Sequence, residues 1–200
     1  PMVSKSACIE AHAYEYWFDC DTSDAFQNTI FIKSIYYSRV NDYDNFRFNE
    51  PLNSPIDFVI ACGDIQFQVL EDIYELFKKP IFAVKGNHDS QAPFPKFVTD
   101  VHFKIVQHRN WLIGGWQGVP IYKGTGPYEW DDLAAMKNLD NFPYVDIFIC
   151  HAPLPGLTDK KDYAHLGSEA ILRYVRDKQP KYVFHGHVHQ NMGAMVENSA

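Results

Sequence analysis

The sequence predicts a mixed α/β protein with its chemistry gathered at one edge of a sheet. Three observations lead there. Apolar runs of strand length recur along the chain, segments with helical spacing separate several of them, and four of the runs end in side chains that bind cations or move protons.

Residues 1–28 have no clear period and are punctuated by Asp, Ser and Thr, so they read as an irregular extension ahead of a single domain over 29–200. "TIFIKSIYY" is β-branched and aromatic, which predicts a first strand. The polar segment "RVNDYDNFRFNEPLNSP" then reads as a loop. "IDFVIACGD" is a near-continuous apolar run ending at Asp64, as expected of a strand buried on both faces. In "IQFQVLEDIYELFKK", Phe67, Leu70, Ile73, Tyr74 and Phe77 share one helical face, and Pro80 closes the helix.

"PIFAVKGNHDS" repeats the pattern of buried strand and polar loop, ending at Asn87 and His88. "FKIVQHRNWLIGGWQG" predicts a hairpin or meander, with Gly114-Gly115 marking a tight approach or a bulge. A short amphipathic helix is expected in "WDDLAAMKNLDNF" and a buried strand in "VDIFICHAPLPG", ending at His151. Ser168 caps a helix in "SEAILRYVRDKQP", and the strand of "KYVFHGHVHQN" ends in His187 and His189.

Composition narrows the function classes. With 46% apolar and 22% charged residues the chain can bury a core and is not a disordered segment. A net charge of −7 argues against stable nucleic-acid binding, which needs a basic surface. No apolar run approaches membrane-spanning length, and no N-terminal stretch has a signal-peptide pattern, so no membrane association and a cytoplasmic location are expected. Cys8, Cys20, Cys62 and Cys150 fit neither a zinc finger nor a redox motif, and Cys62 and Cys150 read as buried strand residues.

In an open α/β sheet the loops beyond the carboxyl ends of the strands converge, so Asp64, Asn87, His88, His151, His187 and His189 are expected at one site. Asp, Asn and His are oxygen and nitrogen donors suited to Mn²⁺, Fe²⁺ or Zn²⁺. The blander alternatives are a histidine-rich surface turn for His187 and His189, a helix-capping carboxylate for Asp64, an Asx-turn for Asn87 and a core histidine for His151. His185 reads as packing beside the site, and His165 as orienting a loop or touching substrate. The region of Trp111, Trp116 and Trp130 reads as packing rather than a stacking platform.

Taken in order, "GDIQ", "GNHD", "CHAP" and "GHVH" resemble the calcineurin-like metallophosphoesterase family, over roughly Ile30 to the C-terminus. Within it, "IGGWQGVPIYKGTGPY" and "HLGSEAILRYVRDKQPKYVFHGHVHQNMGAM" resemble the small metallophosphoesterase-domain-containing subgroup. The resemblance implies a double-sheet αββα sandwich and a metal-dependent phosphoesterase acting on small phosphodiesters, cyclic nucleotides among them, through attack of a metal-bound hydroxide. Carried over residue by residue, Asp64 bridges two ions, Asn87, His151 and His187 complete the second metal's shell, and His189 serves the first. His88 contacts phosphate and protonates the leaving oxygen, with Asp89 holding its ring. The implied cofactor is a divalent ion, Mn²⁺ foremost, with Fe²⁺, Zn²⁺ or Ni²⁺ as alternatives, and the implied partner is a small-molecule phosphoester.

The sequence departs from the family pattern where the first strand should end in Asp-x-His. Aligning "IFIKSIYYSRV" there puts Ile35 and Tyr37 in the ligand places. A second alignment uses Asp19 or Asp21 with His12 nearby, at poor strand–loop spacing. Two ions per chain are expected if the first site is rescued, otherwise one. A sandwich of this family is also expected to continue with further strands past the end of this sequence. The rival function is a catalytically weak or inactive relative that binds metal or acts as a scaffold.

Overall fold

The computed structural model describes residues 29–32, 57–124 and 126–188. Within them, ten strands and three helices follow one another. The strands are β1 (Thr29–Ile32), β2 (Phe58–Ala61), β3 (Ile81–Ala83), β4 (Val98–Asp100), β5 (Ile105–His108), β6 (Trp111–Trp116), β7 (Val119–Pro120), β8 (Glu129–Trp130), β9 (Ile147–Cys150) and β10 (Tyr182–Phe184). The helices are α1 (Phe67–Phe77), α2 (Asp132–Asp140) and α3 (Glu169–Lys178). The expected extension over 1–28 and the second half of "TIFIKSIYY" lie outside the described residues.

Two four-stranded sheets form, in the orders β1-β2-β3-β4 and β10-β9-β6-β5, with β7 and β8 as a separate short pair. In the first sheet β2, β3 and β4 run parallel and β1 is antiparallel to β2. In the second, β6, β9 and β10 run parallel and β5 is antiparallel to β6, which makes the expected hairpin. Parallel strands buried on both faces explain the apolar runs: β2, β3 and β9 are buried at every residue.

The period of two divides each run between layers. Phe58 and Ile60 of β2 meet Ile147 and Ile149 of β9 in a core between the sheets, joined by Phe82, Val84, Ile113 and Phe184. The alternate residues Val59 and Ala61 face α1, packing with Leu70, Ile73, Ile81 and Ala83. On the far side, Phe148 and Cys150 of β9 pack with Leu139 of α2 and Ile171, Tyr174 and Val175 of α3. The four layers are helix, sheet, sheet and helices, the αββα sandwich. Fully burying one of these large side chains contributes about 1.5–3 kcal/mol, so three contiguous clusters give ample drive for the layering.

Local chemistry ends the helices where the sequence indicates. Ser168 accepts the Ile171 amide at the start of α3, and Asp131 does the same for Ala134 at α2. Lys78 closes α1 in the left-handed region, its amide bonded to the Tyr74 carbonyl, just before Pro80. The tight approach expected at Gly114-Gly115 is real: a Cβ on Gly115 would lie 2.1 Å from the Ile149 carbonyl oxygen. Parallel pairing puts the carboxyl ends of β2 and β3 side by side in one sheet and those of β9 and β10 side by side in the other, and the loops that follow them meet at one rim.

Candidate metal centre

Asp64, His151 and His187 each bring one ligand atom within 4.8 Å of the other two. Asp64 follows β2, His151 directly follows β9 and His187 follows β10, so three loops from both sheets meet here. The ring of His151 is fully buried and donates from Nδ1 to the Cys62 carbonyl at 2.6 Å. That bond fixes the tautomer and leaves Nε2 with a lone pair. Nε2 then faces two oxygens, Asn87 Oδ1 at 3.0 Å and Asp64 Oδ2 at 3.2 Å. Three lone pairs converging at such distances need a positive centre among them, a proton or a metal ion, and this donor set fits a borderline divalent ion. The residues fit a metal.

His187 completes the arrangement from the other wall. Its Nε2 donates to the Ala164 carbonyl at 2.7 Å, which leaves Nδ1 as the ligand atom. Burial, aided by the nearby His151 ring, lowers its pKa to about 4, so the ring is neutral and ready to ligate near pH 7. Burial alone would raise the Asp64 carboxyl, but with a proton as the positive centre at His151 Nε2 in the metal-free site, hydrogen bonding and charge from that ring, together with the His88 amide, outweigh it and hold the pKa at about 2. Asp64 and His187 both have left-handed backbone, with φ 57° and 66°. Asp and His are among the few non-glycine residues that tolerate this region.

The loop after β3 is fastened to the loop after β2. Asp89 Oδ2 accepts the amides of Asp64 at 2.9 Å and Gly86 at 2.7 Å, and Oδ1 accepts that of Ile65 at 3.0 Å. Asp64 Oδ1 accepts the His88 amide at 2.8 Å. The two loops approach so closely that a Cβ on Gly63 would lie 2.3 Å from Gly86 N, and one on Gly86 would lie 2.1 Å from Asp64 Oδ1. Only glycine fits either position. Below the loop, the buried Lys85 ammonium sits 4.2 Å from the Phe67 and Phe94 ring centres and donates to the Ser90 and Ala92 carbonyls.

Asp64, Asn87, His151 and His187 therefore come together, as the strand-end pattern predicts. His88 stands beside them with an exposed side chain. Asp89 differs from expectation: among the described residues no hydrogen bond joins it to the His88 ring, because its carboxylate is committed to backbone amides. His189 lies outside the described residues, as do Ile35, Tyr37, Asp19, Asp21 and His12 of the first-motif question. His165 packs against His187 with ring centres 4.7 Å apart, and its Nδ1 pairs with Asp162 at 2.6 Å. Trp116 and Trp130 pack edge to face at 6.0 Å.

Sequence reasoning missed Tyr122, whose hydroxyl accepts from Asn87 Nδ2 at 3.0 Å and whose ring centre lies 6.5 Å from that of His187. It missed Lys85 as well. Tyr122 stands outside the strand-end motifs, and Lys85, although it lies between β3 and Asn87, has nothing in its local spacing that marks a role.

Among curated proteins nothing matches this chain. One solved crystal structure is similar in part, at 17% identity and a TM-score of 0.47, with 61% of this chain and 56% of that chain covered. The chain thus spans little more than half the length of that relative. The family model described as calcineurin-like phosphoesterase matches residues 32–191, four-fifths of the sequence and every residue of the site just described. The chain belongs to the calcineurin-like phosphoesterase family.

Proposed function

We propose that this protein is a metal-dependent phosphodiesterase for small phosphodiesters, cyclic nucleotides included, using Mn²⁺ in preference to Fe²⁺, Zn²⁺ or Ni²⁺. Membership of the family supports metal-dependent phosphoester hydrolysis. The observation that carries the reading is the convergence of Asp64 Oδ2 and Asn87 Oδ1 on the bare Nε2 of His151, with His187 alongside.

When bound, a divalent ion supplies Lewis acidity toward phosphoryl oxygen and activates water at neutral pH. The chain's own residues do the rest. Asp64 brings full negative charge to the site, since its carboxyl titrates near 2. His151 and His187 bring neutral nitrogens whose orientations are fixed by the Cys62 and Ala164 carbonyls. His88, anchored through its backbone amide and exposed at the side chain, is free to reach a non-bridging oxygen or the leaving group. Cys62, whose carbonyl orients His151, and Cys150 and Ala152, which flank His151 in sequence, are all buried, so that ring enters the site from a dry side.

The competing reading is a metal-binding or scaffolding relative without turnover. It is favoured by Ile35 and Tyr37 standing where the family has its first Asp-x-His. Purified protein with added Mn²⁺ should cleave a chromogenic phosphodiester faster than the matching monoester, and His187→Ala should abolish that turnover. Absence of turnover with Mn²⁺, Ni²⁺, Fe²⁺ and Zn²⁺, together with one bound ion per chain by elemental analysis, would support the competing reading instead. Among the described residues no helix is long and apolar enough to cross a membrane. A cytoplasmic site of action, without stable contact to nucleic acid or membrane, belongs to the same proposal.

A further inference from the structure

Asn87 has one oxygen and one nitrogen at the end of a freely rotating amide, and only the oxygen can ligate a cation. A donor pointed the wrong way would set Nδ2 against the cation and weaken the site. Something must hold the amide in its ligating sense. In the site loops the Asn87 oxygen meets His151 Nε2, but the neighbouring bonds run from backbone amides to the Asp89 and Asp64 carboxylates, and none of them reaches Asn87 Nδ2. Among the described residues, the one side chain that meets the amide nitrogen is Tyr122, with its hydroxyl 3.0 Å from Nδ2.

Tyr122 comes from outside the four strand-end motifs, on the segment that leaves the short β7 strand. That segment is well braced. Gly118 donates to the Lys85 carbonyl at 2.7 Å, and Ile121 donates to the Trp130 carbonyl at 3.0 Å. Glu129 accepts the Lys123 and Gly124 amides at 3.2 and 2.6 Å. The Tyr122 ring packs on the core that lies between the second sheet and α2 and α3, and its edge meets the His187 ring. A phenol held on both sides in this way presents a fixed oxygen rather than a mobile one.

We infer that Tyr122 is a positioning residue for the metal centre: its hydroxyl accepts from Asn87 Nδ2 and so fixes Asn87 Oδ1 toward His151 and the cation. The inference rests on the metal-binding reading of the site. A dication drawing electron density from Oδ1 makes the Nδ2 hydrogens more acidic, so the bond to the phenol strengthens when metal is bound. Losing such an outer partner typically weakens metal binding by about 10- to 100-fold. The blander role for Tyr122 is ring packing against His187, and the two roles separate because one belongs to the oxygen and the other to the ring.

The test measures Mn²⁺ affinity by electron paramagnetic resonance of the free ion in wild-type protein, Tyr122→Phe and Tyr122→Leu, with thermal melts run alongside. Tyr122→Phe keeps the ring and removes only the hydroxyl. The expected result is that both variants bind Mn²⁺ at least about tenfold more weakly than wild type while Tyr122→Phe melts as wild type does. In an Asn87→Ala background, measured at millimolar Mn²⁺, the same Tyr122→Phe change should cost less than about twofold, because no amide remains to be held. Wild-type affinity in Tyr122→Phe with a loss confined to Tyr122→Leu would overturn the inference in favour of ring packing. An equal cost of Tyr122→Phe in both backgrounds would also overturn it. Wild-type protein that fails to bind Mn²⁺ at all would instead overturn the metal-binding reading itself.

Discussion

On one side of the site Asp64 and Asn87 leave strands of the first sheet, and on the other His151 and His187 leave strands of the second. The first wall is knitted by charge-assisted bonds to backbone: three amides from two loops end on the Asp89 carboxylate, and a fourth ends on Asp64. The second wall is held by neutral contacts, in which ring nitrogens meet the Cys62 and Ala164 carbonyls and His187 lies against His165. Bonds to an ionised acceptor are roughly twice as strong as neutral ones. The difference teaches that the Asp64 and Asn87 oxygens belong to a stiff frame, whereas His187 depends on how the segment from Asp162 to His165 is placed.

The severest way to break this contrast is Asp89→Ala. Three buried or half-buried amides would lose their acceptor at once, and the expected cost is about 3–5 kcal/mol of folding stability. A chain of this size should then melt roughly 10 °C lower, which differential scanning calorimetry would detect. Asp89→Asn, with a neutral acceptor in place of a charged one, should fall between. A melting point unchanged in Asp89→Ala would remove the basis for calling the first wall stiff.

Acid should separate the walls next. In metal-free protein the folded His187 titrates near 4 against an ordinary value of 6.5. The unfolded chain therefore binds a proton between these values that the folded chain refuses. Stability from this group is complete above pH 6.5 and is lost as pH falls toward 4, by roughly 3 kcal/mol in all. His102, His108 and His185, lowered by burial, act in the same direction, while Asp89, raised by burial, acts in the opposite one. Asp64 contributes only lower, its stabilisation fading from 3.8 toward about 2. Urea titrations of chelator-treated protein between pH 4 and 7 should show a slope that flattens in His187→Gln. An identical slope in the variant would assign the loss elsewhere.

The smallest effect is expected at Asp162→Ala. This carboxylate is exposed, and it steadies the His165 ring and the Ala164 amide rather than a ligand directly. Calorimetry should find no change in melting temperature, while Mn²⁺ affinity weakens by about threefold as the Ala164 carbonyl becomes less well placed for His187. A thermal cost as large as that of Asp89→Ala would make the walls equivalent and end the comparison.

What could be read from the sequence follows the same division. Apolar runs at β2, β3, β9 and β10 announce strands, and the polar residues that follow them announce a rim, because both are local patterns with a short period. The Ser168 cap and the spacing of Phe67, Leu70 and Ile73 are legible for the same reason. β4, β7 and β8, of two or three residues each, have no long apolar run to announce them, and none of the three was expected. Tyr122 and the true partners of Asp89 escape because their bonds span 35 and up to 25 residues and join a side chain to an amide or a backbone group. Tertiary geometry alone creates such pairs. Asp89 shows how a motif marks a residue without showing what it bonds: its neighbour in sequence is His88, but its hydrogen-bond partners are backbone amides.

The left-handed backbone at Asp64 has a practical corollary. Alanine, valine or leucine there would trade one fault for two, since a vanished carboxylate would come with a contorted main chain. Asparagine alone keeps the contour, the side-chain length and an oxygen for the His88 amide while shedding the charge. Asp64→Asn is therefore the natural silent counterpart of this protein: a molecule that should keep its shape and forget its ion, against which every other substitution at the rim can be judged.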